Sequence, residues 1–342
     1  MKTDAKLKFL VTGATGFVGS YLVPALLGRY GPGAVIAIAN QHLRPREELA
    51  LRKFQEAKVP VIRCDLLDLP HTAPAPPEFD VLVHLAAYVE TERASEKIAV
   101  NTRGTRNLLD WLGPRLAGKR VVYTGTLASV DRPGRPWGPI VETTPCTPRT
   151  EYGRSKLEAE QIIQARGVEA QYHWTILRLC TILGDGYRLG GMFDVFPQLL
   201  RRNALGTRLN WPGKTSLLCV SDLVEILAAL PELPETKNES YVLTNGEAPT
   251  FDQLLQQIAE ILGLTRHRIV LPRWCWEVVG AVAVFGADKS FLPHALRTFC
   301  WRVSLMVYDG FYGDNSKWNQ LRKLDYRSIR EGLREAYGVD RG

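Results

Sequence analysis

The sequence predicts an α/β fold in which a doubly wound parallel sheet is followed by a smaller, mostly helical C-terminal portion. Up to about Arg178, short apolar segments alternate with longer amphipathic ones, as expected when helices join parallel strands. A run of glycines follows the first apolar segment directly, and a tyrosine and a lysine stand four residues apart about 140 residues later. Beyond Arg178 the pattern is less regular. The predicted class is therefore a Rossmann-type sheet with an appended substrate-binding portion.

The glycines lie in the segment TGATGFVG, residues 12–19, between a predicted strand, Leu7 to Val11, and a predicted helix, Phe17 to Arg29. Gly13 permits a tight turn, Gly16 lets the backbone approach a phosphate, and Gly19 lets the helix pack closely on the strand. The helix then points its N–H groups and its positive dipole end at an anion. These features favour a dinucleotide pyrophosphate. The alternative is an ordinary turn whose glycines serve only to avoid steric clashes.

The end of the second predicted strand, Val35 to Ala39, bears on the choice of cofactor. An acidic residue here would bond the ribose hydroxyls of NAD, but this strand ends at Asn40 and Arg44 follows. An arginine can pair with a 2′-phosphate, so we predict NADP, with NAD as the alternative if the arginine only faces solvent. The third predicted strand, Val59 to Cys64, ends at Asp65, whose carboxylate can accept a hydrogen bond from an adenine amino group.

Tyr152 and Lys156 are four residues apart and therefore share one face of a helix. A free tyrosine has a pKa of about 10, and lowering it to roughly 7 requires about 4 kcal/mol, part of which a nearby ammonium supplies. We predict that Tyr152 exchanges a proton with the substrate. Because this spacing is common by chance, a turn of a surface helix is the alternative. Thr150, which can cap an amphipathic helix here, favours the catalytic interpretation.

A third candidate group lies on the strand before this helix. The predicted strand Arg120 to Thr124 runs into Thr126, and ligands of open α/β sheets bind beyond the carboxyl ends of the strands. A hydroxyl at Thr124 or Thr126 is therefore expected to face the cofactor crevice and to bond a substrate oxygen. Capping of a turn, the alternative role for such a hydroxyl, suits Ser129 better than Thr126.

Over nearly its whole length the chain resembles the extended short-chain dehydrogenase/reductase superfamily. The resemblance is carried by residues 12–19, 65–66, 84–87 (HLAA), 101–105 (NTRGT), 152–156 (YGRSK), 314–317 and 328–333. It implies a catalytic set of Thr126, Tyr152 and Lys156, with Asn101 supporting the site from behind. The predicted cofactor site includes Asn40, Arg44 and Thr124, argued above from the strand ends. The resemblance adds the other members: Gly13, Thr15, Gly16, Phe17, Val18, Gly19, Asp65, Leu66, Leu85, Ala86, Ala87, Tyr152 and Lys156.

The chain departs from the family members that act on nucleotide sugars. Residues 179–181 (LCT) lack an asparagine that those enzymes usually carry, residues 214–218 (KTSLL) lack an arginine, and Leu127-Ala128 replaces acidic residues of the sugar dehydratases. The resemblance is therefore nearer the hydroxysteroid dehydrogenase and dihydroflavonol reductase branch. It implies hydride transfer between a nicotinamide and a hydrophobic ketone, aldehyde or secondary alcohol. A nucleotide-sugar epimerase, with Lys214 on the diphosphate, is the first alternative, and a non-catalytic sensor or scaffold that binds the cofactor is the second.

The chain length and charge set the remaining expectations. We predict a cofactor-binding domain of residues 1–178 plus 215–245 and a substrate-binding portion of residues 179–214 plus 246–342 of the 342 residues. The net charge of +7 is spread along the chain without a nucleic-acid motif, so we expect no nucleic-acid partner. The six cysteines lack CxxC spacing, and we expect no metal site. The first ten residues lack an apolar signal core, which predicts a cytoplasmic protein, and we expect a homodimer.

Residues 273–312 form the least usual segment. Residues 274–285 are apolar except for Glu277 and Gly280, and residues 291–308 are also largely apolar. The first stretch is shorter than the roughly 18–20 residues that span a bilayer, and Arg297 and Arg302 interrupt the second. We expect subdomain core or a dimer contact here, with an apolar lid over the substrate and peripheral membrane contact as the alternatives. Six aromatic side chains are expected to wall an apolar substrate pocket: Trp274, Trp276, Phe285, Phe291, Phe299 and Trp301.

Overall fold

The computed structural model describes residues 7–69, 73–89, 96–131, 138–186 and 191–339. The first six residues, which belong to the segment expected to lack an export signal, lie outside this part of the chain. The main strands are β1 (Phe9–Thr12), β2 (Val35–Ala39), β3 (Val61–Arg63), β4 (Val81–His84), β5 (Arg120–Thr126), β6 (His173–Leu179) and β9 (Glu239–Leu243). They form one parallel sheet in the order β3-β2-β1-β4-β5-β6-β9. Two short strands, β7 (Thr181–Leu183) and β8 (Leu217–Cys219), pair with each other.

Twelve α-helices lie within the described residues. Those of the sheet region are α1 (Phe17–Tyr30), α2 (Pro45–Glu56), α3 (Thr105–Leu112), α4 (Glu151–Glu169) and α7 (Val220–Ala229). The others are α5 (Met192–Arg201), α6 (Leu205–Arg208), α8 (Phe251–Ile261), α9 (Arg273–Asp288), α10 (His294–Val307), α11 (Ser316–Leu321) and α12 (Ile329–Ala336). The C-terminal portion is thus mostly helical, as predicted.

Helices cover both faces of the sheet. On one face, Leu22 of α1 and Leu223 of α7 belong to the same buried cluster as alternate strand residues such as Val11. On the other face, Leu108 of α3 and Ile163 of α4 belong to a second buried cluster. Because both faces are buried, the strands are continuous apolar runs, which is the pattern from which a parallel sheet was predicted. The doubly wound, Rossmann-type class is confirmed.

The strand order reverses at β1, and this reversal positions the candidate site. β1 pairs in parallel with β2 on one side and with β4 on the other, so that Thr12 lies opposite both Ile38 and His84. The connections that leave β1 and β4 run to opposite faces and open a crevice at the carboxyl edge of the sheet. The glycine turn lies in this crevice, and β5 ends beside it.

Most predicted element bounds lie within two residues of the observed ones. β2 matches its prediction at both ends, whereas the predicted strand Val59 to Cys64 forms a ladder with β2 only over Val61–Arg63. Thr150 caps α4 and Thr250 caps α8 through their side-chain oxygens, as the sequence indicates. The division into residues 1–178 plus 215–245 and the remaining chain stays a prediction.

The residues after β6 build a third buried cluster apart from the two sheet faces. Its members include Trp211 and Trp276, whose ring centroids are 4.8 Å apart, and Phe251 at the start of α8. α9 and α10 form an antiparallel hairpin against this cluster. Among the helices of the described residues, none is long and apolar enough to cross a membrane.

We predict that alanine substitution has opposite effects on the free energy of unfolding at the two glycines of α1. A Cβ atom at Gly19 would lie 2.3 Å from the carbonyl oxygen of Gly13, whereas a Cβ at Gly28 meets nothing within 4 Å. We expect Gly19→Ala to lower the free energy of unfolding by about 1–3 kcal/mol. Gly28→Ala is expected to raise it by roughly 0.5–1 kcal/mol, because alanine is the better helix former. Urea denaturation followed by circular dichroism measures both, and equal stability of the two variants would contradict the steric argument.

Candidate active site

The glycine turn between β1 and α1 is built by close backbone contacts. Gly13 has a φ of +64°, and a Cβ there would lie 2.7 Å from the backbone nitrogen of Ala86. Only a residue without a side chain fits between β1 and the segment after β4. A Cβ at Gly16 would lie 3.1 Å from the Gly13 carbonyl oxygen, so the turn also folds tightly on itself.

The positive end of α1 is left open for an anion. Gly16, the residue before the helix, has no side chain to cap it, and the first turn contains no acidic residue. Phe17 and Val18 form this turn and are half-buried, while Thr15 beside them is buried. An uncapped helix start at the edge of a parallel sheet is the geometry that binds a pyrophosphate, so these residues fit a dinucleotide.

The end of β2 is surrounded by arginines. Asn40 is exposed, and its side-chain oxygen accepts a hydrogen bond from the backbone of His42 at 3.1 Å. The guanidinium of Arg44, which was predicted to meet a 2′-phosphate, pairs instead with Glu47 at 2.7 Å and is largely exposed. Arg63, at the end of β3, donates to the carbonyl oxygen of Asn40 at 2.9 Å. Arg63 was not predicted, although the pairing of β3 beside β2 places it here.

The segments after β3 and β4 end at the same edge of the sheet as the glycine turn. Asp65 accepts a hydrogen bond from the backbone of Leu67 at 2.9 Å, and Leu66 between them is buried. After β4, Leu85 and Ala86 are half-buried and Ala87 is exposed. β4 pairs with β1, and β3 pairs with β2 on the other side of β1. Because the sheet is parallel, both segments reach the edge where the glycines lie.

The sequence favoured Ser129 over Thr126 as the turn-capping hydroxyl, and the structure shows the reverse. Its side-chain oxygen accepts a hydrogen bond from the backbone of Ala128 at 3.2 Å and so caps a short helical turn, whereas the hydroxyl of Ser129 donates to the Thr126 carbonyl oxygen. The capping bond uses one lone pair of Thr126, and its proton stays available to donate. Thr124 is buried and bonds the carbonyl oxygen of His84 at 3.4 Å, which points it toward β4.

The helix that carries Tyr152 lies in direct contact with the end of β5. A Cβ at Gly153 would be 2.2 Å from the carbonyl oxygen of Ala128, two residues after Thr126. The side-chain oxygen of Thr150 accepts a hydrogen bond from the backbone of Gly153 at 3.0 Å and fixes the start of the helix. Tyr152 is half-buried in this first turn. The structure therefore packs the residue after the predicted tyrosine against the turn that follows the predicted threonine.

Asn101 lies behind this turn, in a π-helical segment, Val100–Gly104. Its amide nitrogen donates to the hydroxyl of Ser155 at 2.9 Å and to the carbonyl oxygen of Tyr88 at 3.0 Å. Its oxygen accepts from the backbone of Tyr88 at 2.7 Å. Ser155 in turn donates to the carbonyl oxygen of Tyr152 at 2.8 Å. Asn101 thus holds α4 and the segment after β4 in fixed relation, as a supporting residue would.

A buried histidine links the glycine turn to Asn101. The ring nitrogen Nδ1 of His84 lies 2.7 Å from the hydroxyl of Thr12, and Nε2 lies 2.9 Å from the hydroxyl of Thr105. Thr12 also accepts from the backbone of Ala86 at 3.2 Å, and Thr105 donates to the carbonyl oxygen of Asn101 at 2.6 Å. Burial, with the charge of a nearby lysine, lowers the pKa of His84 to about 3. The ring is therefore neutral and structural, a role that no sequence pattern indicates.

Lys156 is 2% exposed and lies on the sheet side of α4. Its ammonium is 4.1 Å from the centroid of the Tyr123 ring, on β5. Burial lowers the pKa of Lys156 to about 7, and the nearby carboxylate of Glu160 opposes this shift. The protonated and neutral forms of Lys156 are thus close in free energy at neutral pH.

Glu160 lies one helical turn beyond Lys156 and is itself buried. Its Oε2 accepts hydrogen bonds from Arg178 of β6 at 3.0 and 3.1 Å. Its Oε1 has no hydrogen-bond partner within the described residues, and a Cβ at Gly125 would lie 2.3 Å from it. Neither Glu160 nor this contact was predicted as part of the site, although the spacing from Lys156 places Glu160 on the same face of α4.

The C-terminal hairpin is joined to the site at two points. The indole nitrogen of Trp301 on α10 donates to Asp131 at 2.9 Å, and Arg149, three residues before Tyr152, pairs with Asp288 of α9 at 3.1 Å. The predicted aromatic wall is only partly formed. Trp276 and Trp301 are buried, but the other four members, Trp274, Phe285, Phe291 and Phe299, are at least 60% exposed and do not enclose a pocket.

Within the described residues no group of three or more histidine, cysteine or acidic side chains is arranged to hold a metal ion. Most of the predicted cofactor residues instead lie along the carboxyl edge of five adjacent strands, from Asp65 after β3 to Thr126 at the end of β5. The edge offers an open helix start for an anion and a phenol beside a buried amine. This combination suits a dinucleotide next to a group that exchanges a proton.

Known proteins with related sequences fall into two groups. The chain is 24% identical to UDP-glucose 4-epimerase of Vibrio cholerae, over 88% of this chain and 92% of that protein. It is 28% identical to sterol demethylase protein B of Methylococcus capsulatus, over 96% of both chains. It is 26% identical to a 3 beta-hydroxysteroid dehydrogenase/Delta 5→4-isomerase of Mycobacterium tuberculosis, over 80% of this chain and 75% of that protein.

Solved structures share the fold at low sequence identity. UDP-glucuronic acid 4-epimerase from Bacillus cereus, in complex with UDP-glucuronic acid and NAD, superposes with a TM-score of 0.72 and 20% identity, over 98% of this chain and 99% of that chain. RMD from Pseudomonas aeruginosa, complexed with NADPH, gives a TM-score of 0.66 and 18% identity, over 96% and 97% of the two chains. Residues 9–243 match the model of the NAD dependent epimerase/dehydratase family. The chain therefore belongs to this family, the extended group of short-chain dehydrogenases/reductases.

Proposed function

We propose that the protein is an NAD(P)-dependent oxidoreductase that interconverts a hydrophobic ketone or aldehyde and the corresponding alcohol. The observation that carries this proposal is the placement of Tyr152. Tyr152 is half-buried one turn before a buried lysine, on a helix packed against the turn after β5. The uncapped, glycine-lined start of α1 lies at the same edge of the sheet. The family of the chain supports a nicotinamide cofactor, and its sterol-related relatives support the substrate class.

The cofactor would be held mainly by backbone groups of the glycine turn. The open N–H groups at the start of α1 suit the pyrophosphate, and Asp65 and Leu66 lie where the adenine would be bound. Leu85, Ala86 and Ala87 would line the side of the crevice toward β4, and Thr124 its floor. When bound, the nicotinamide supplies or accepts the hydride at the substrate carbon.

The proton is assigned to Tyr152. In carbonyl reduction its phenol donates a proton to the substrate oxygen, and in alcohol oxidation the phenolate accepts one. Thr126, whose capping bond leaves its own proton free, donates a hydrogen bond to the same oxygen. Asn101 touches neither substrate nor cofactor in this scheme, and it positions α4 through Ser155.

Lys156 acts through its charge, and opposing groups in the site determine how much of it is protonated. The ammonium form stabilises a phenolate at Tyr152, but burial alone drives the lysine toward its neutral form. Glu160 opposes this tendency. Burial raises the pKa of the Glu160 carboxyl, and Arg178 counteracts that rise through its charge and two hydrogen bonds. We propose that Glu160 is a positioning residue that keeps a substantial fraction of Lys156 protonated at neutral pH.

An apolar substrate is favoured over a nucleotide sugar by the lack of charged residues directly after Thr126 in the proposed active site. Leu127 and Ala128 follow Thr126 directly, and both are buried and without charge. Lys214 is the remaining candidate to bind a diphosphate, and its ammonium lies 5.3 Å from the centroid of the Tyr312 ring. Burying a diphosphate without cationic partners costs several kcal/mol. The epimerase alternative is kept because related chains include UDP-sugar enzymes.

A substrate panel tests the proposed function. We expect turnover with NADPH of steroid, other ring and long-chain ketones or aldehydes, and a rate at least about 10²-fold lower in Tyr152→Phe with nearly unchanged cofactor affinity, because only the proton donor is lost. Tyr30→Phe, at the far end of α1, is the matched control and keeps the parental rate. Turnover confined to nucleotide sugars would instead establish an epimerase. Cofactor binding without turnover of either class would favour a sensor or scaffold.

The buried lysine makes a prediction about pH. Lys156 has a pKa of about 7 in the folded chain, against an ordinary value of 10.5. Between these values the unfolded chain binds more protons than the folded one, so this group makes the free energy of unfolding rise with pH. We expect Lys156→Met to remove that rise, so that the stability of the parent relative to the variant increases from pH 7 to about 9.5. Urea denaturation without added cofactor measures it. The exposed Lys53→Met is the control, and parallel profiles for the parent and Lys156→Met would refute the shift.

The NADP preference rests on the arginines at the end of β2. Arg44 lies beside Asn40, and its salt bridge with Glu47 is exposed and therefore worth little, so a 2′-phosphate can compete for it. We expect Arg44→Gln to weaken NADP binding about 5–10-fold and to change NAD binding less than two-fold, by isothermal calorimetry. Arg52→Gln, exposed on the same helix, is the control. Ten-fold tighter binding of NAD than NADP to the parent protein would overturn the preference.

A further inference from the structure

The hairpin of α9 and α10 exposes several large apolar side chains to solvent. On α9 they recur at intervals of three or four residues, so they share one face. Phe291, 78% exposed, lies in the turn between the helices, and Phe299 lies on α10. We call these six exposed side chains the apolar face: Trp274, Val278, Val282, Phe285, Phe291 and Phe299.

The apolar face is larger than isolated surface hydrophobes would produce. A Phe or Trp side chain offers about 150–250 Å². The four aromatic members are each at least 60% exposed, so together they present on the order of 400–600 Å². Single domains rarely expose larger patches, and patches of this size usually bind something.

Tight packing on the other side of the hairpin prevents these side chains from turning inward. A Cβ at Gly280 would lie 2.4 Å from the hydroxyl of Tyr308, and one at Gly286 would lie 2.6 Å from the sulfur of Cys300. Trp276 packs against Trp211 in the third buried cluster, under the hairpin. Rotating α9 to bury its outer face would break all of these contacts, so the apolar face is a fixed feature of the fold.

Cationic side chains accompany the apolar face. The hairpin holds Arg273, Lys289, Arg297 and Arg302 but only two acidic residues, Glu277 and Asp288. Both acidic residues are paired with arginines, Glu277 with Arg273 and Asp288 with Arg149. The ammonium of Lys289 lies 4.1 Å from the Phe285 ring centroid, at the edge of the face. A surface of this kind combines aromatic anchors with an excess of positive charge.

We propose that the apolar face docks on the surface of a bilayer that contains anionic phospholipids. Trp and Phe beside Lys and Arg are the composition of helices that lie in the lipid headgroup region. Cations near an anionic membrane strengthen binding to it by electrostatic attraction. A second copy of the chain fits less well, because a two-fold interface places the same surface against itself and would bring these cations together. The docking does not depend on the proposed reaction.

Vesicle sedimentation tests the docking. The probes are vesicles of phosphatidylcholine with about 30 mol% phosphatidylserine, and vesicles of phosphatidylcholine alone. We expect the full-length protein to bind the anionic vesicles, and binding to fall at least ten-fold when Trp274, Phe285, Phe291 and Phe299 are all replaced by serine. The double variant Lys289→Gln, Arg297→Gln is expected to lose at least ten-fold on the anionic vesicles and little on the neutral ones.

A matched control separates this face from surface hydrophobicity in general. Leu49→Ser, Val168→Ser and Leu205→Ser remove three exposed apolar side chains outside the hairpin, and this triple variant should bind vesicles as the parent does. Thermal unfolding of every variant confirms that it is folded. Undiminished vesicle binding by the fourfold serine variant would overturn the proposal. So would a parent protein that ignores vesicles but forms a dimer, by light scattering, that the fourfold variant cannot form; the face would then be a contact between copies.

Discussion

The burial of one lysine constrains the whole candidate site. An ammonium taken out of water is costly unless other groups compensate, and Lys156 is compensated by the face of the Tyr123 ring and by the carboxylate of Glu160. To bury it, α4 must pack closely on the sheet. Gly153 carries no side chain where the helix meets the Ala128 carbonyl oxygen, and Gly125 carries none where the Glu160 carboxylate approaches β5. The position of Tyr152 is thus a consequence of how its neighbour is buried, and a change that loosens α4 affects both residues.

Those parts of the fold that depend on local chemistry could be predicted from the sequence. Continuous apolar runs indicated strands buried on both faces, and β2 has the predicted bounds at both ends. Thr150 and Thr250 are caps, because a side-chain oxygen before an amphipathic run satisfies open N–H groups wherever it occurs. The limits of β3 could not be predicted, because they depend on which of its residues pair with Ala37–Ala39 of β2.

The remaining features depend on contacts between distant parts of the chain. Arg63 reaches the end of β2 only because β3 is its neighbour, and Thr126 became a cap because of how the chain turns after β5. The hairpin is the clearest case. Hydropathy identified its helices as apolar on most sides, but it cannot tell which side meets the core. Trp274 and Trp276 are two residues apart, yet Trp274 faces solvent and Trp276 packs against Trp211.

The hydrogen bonds around His84 have one further consequence, which concerns the order of their protons. Thr105 gives its only hydroxyl proton to the Asn101 carbonyl oxygen, so it must accept from Nε2 of His84. The neutral ring then carries its proton on Nε2 and accepts from Thr12 at Nδ1. All donors from the backbone of Ala86 to Asn101 therefore point in one direction. A second proton on the imidazole would oppose this alignment at Thr12, so a single tautomer of one buried ring ties the glycine turn to the segment behind the tyrosine helix.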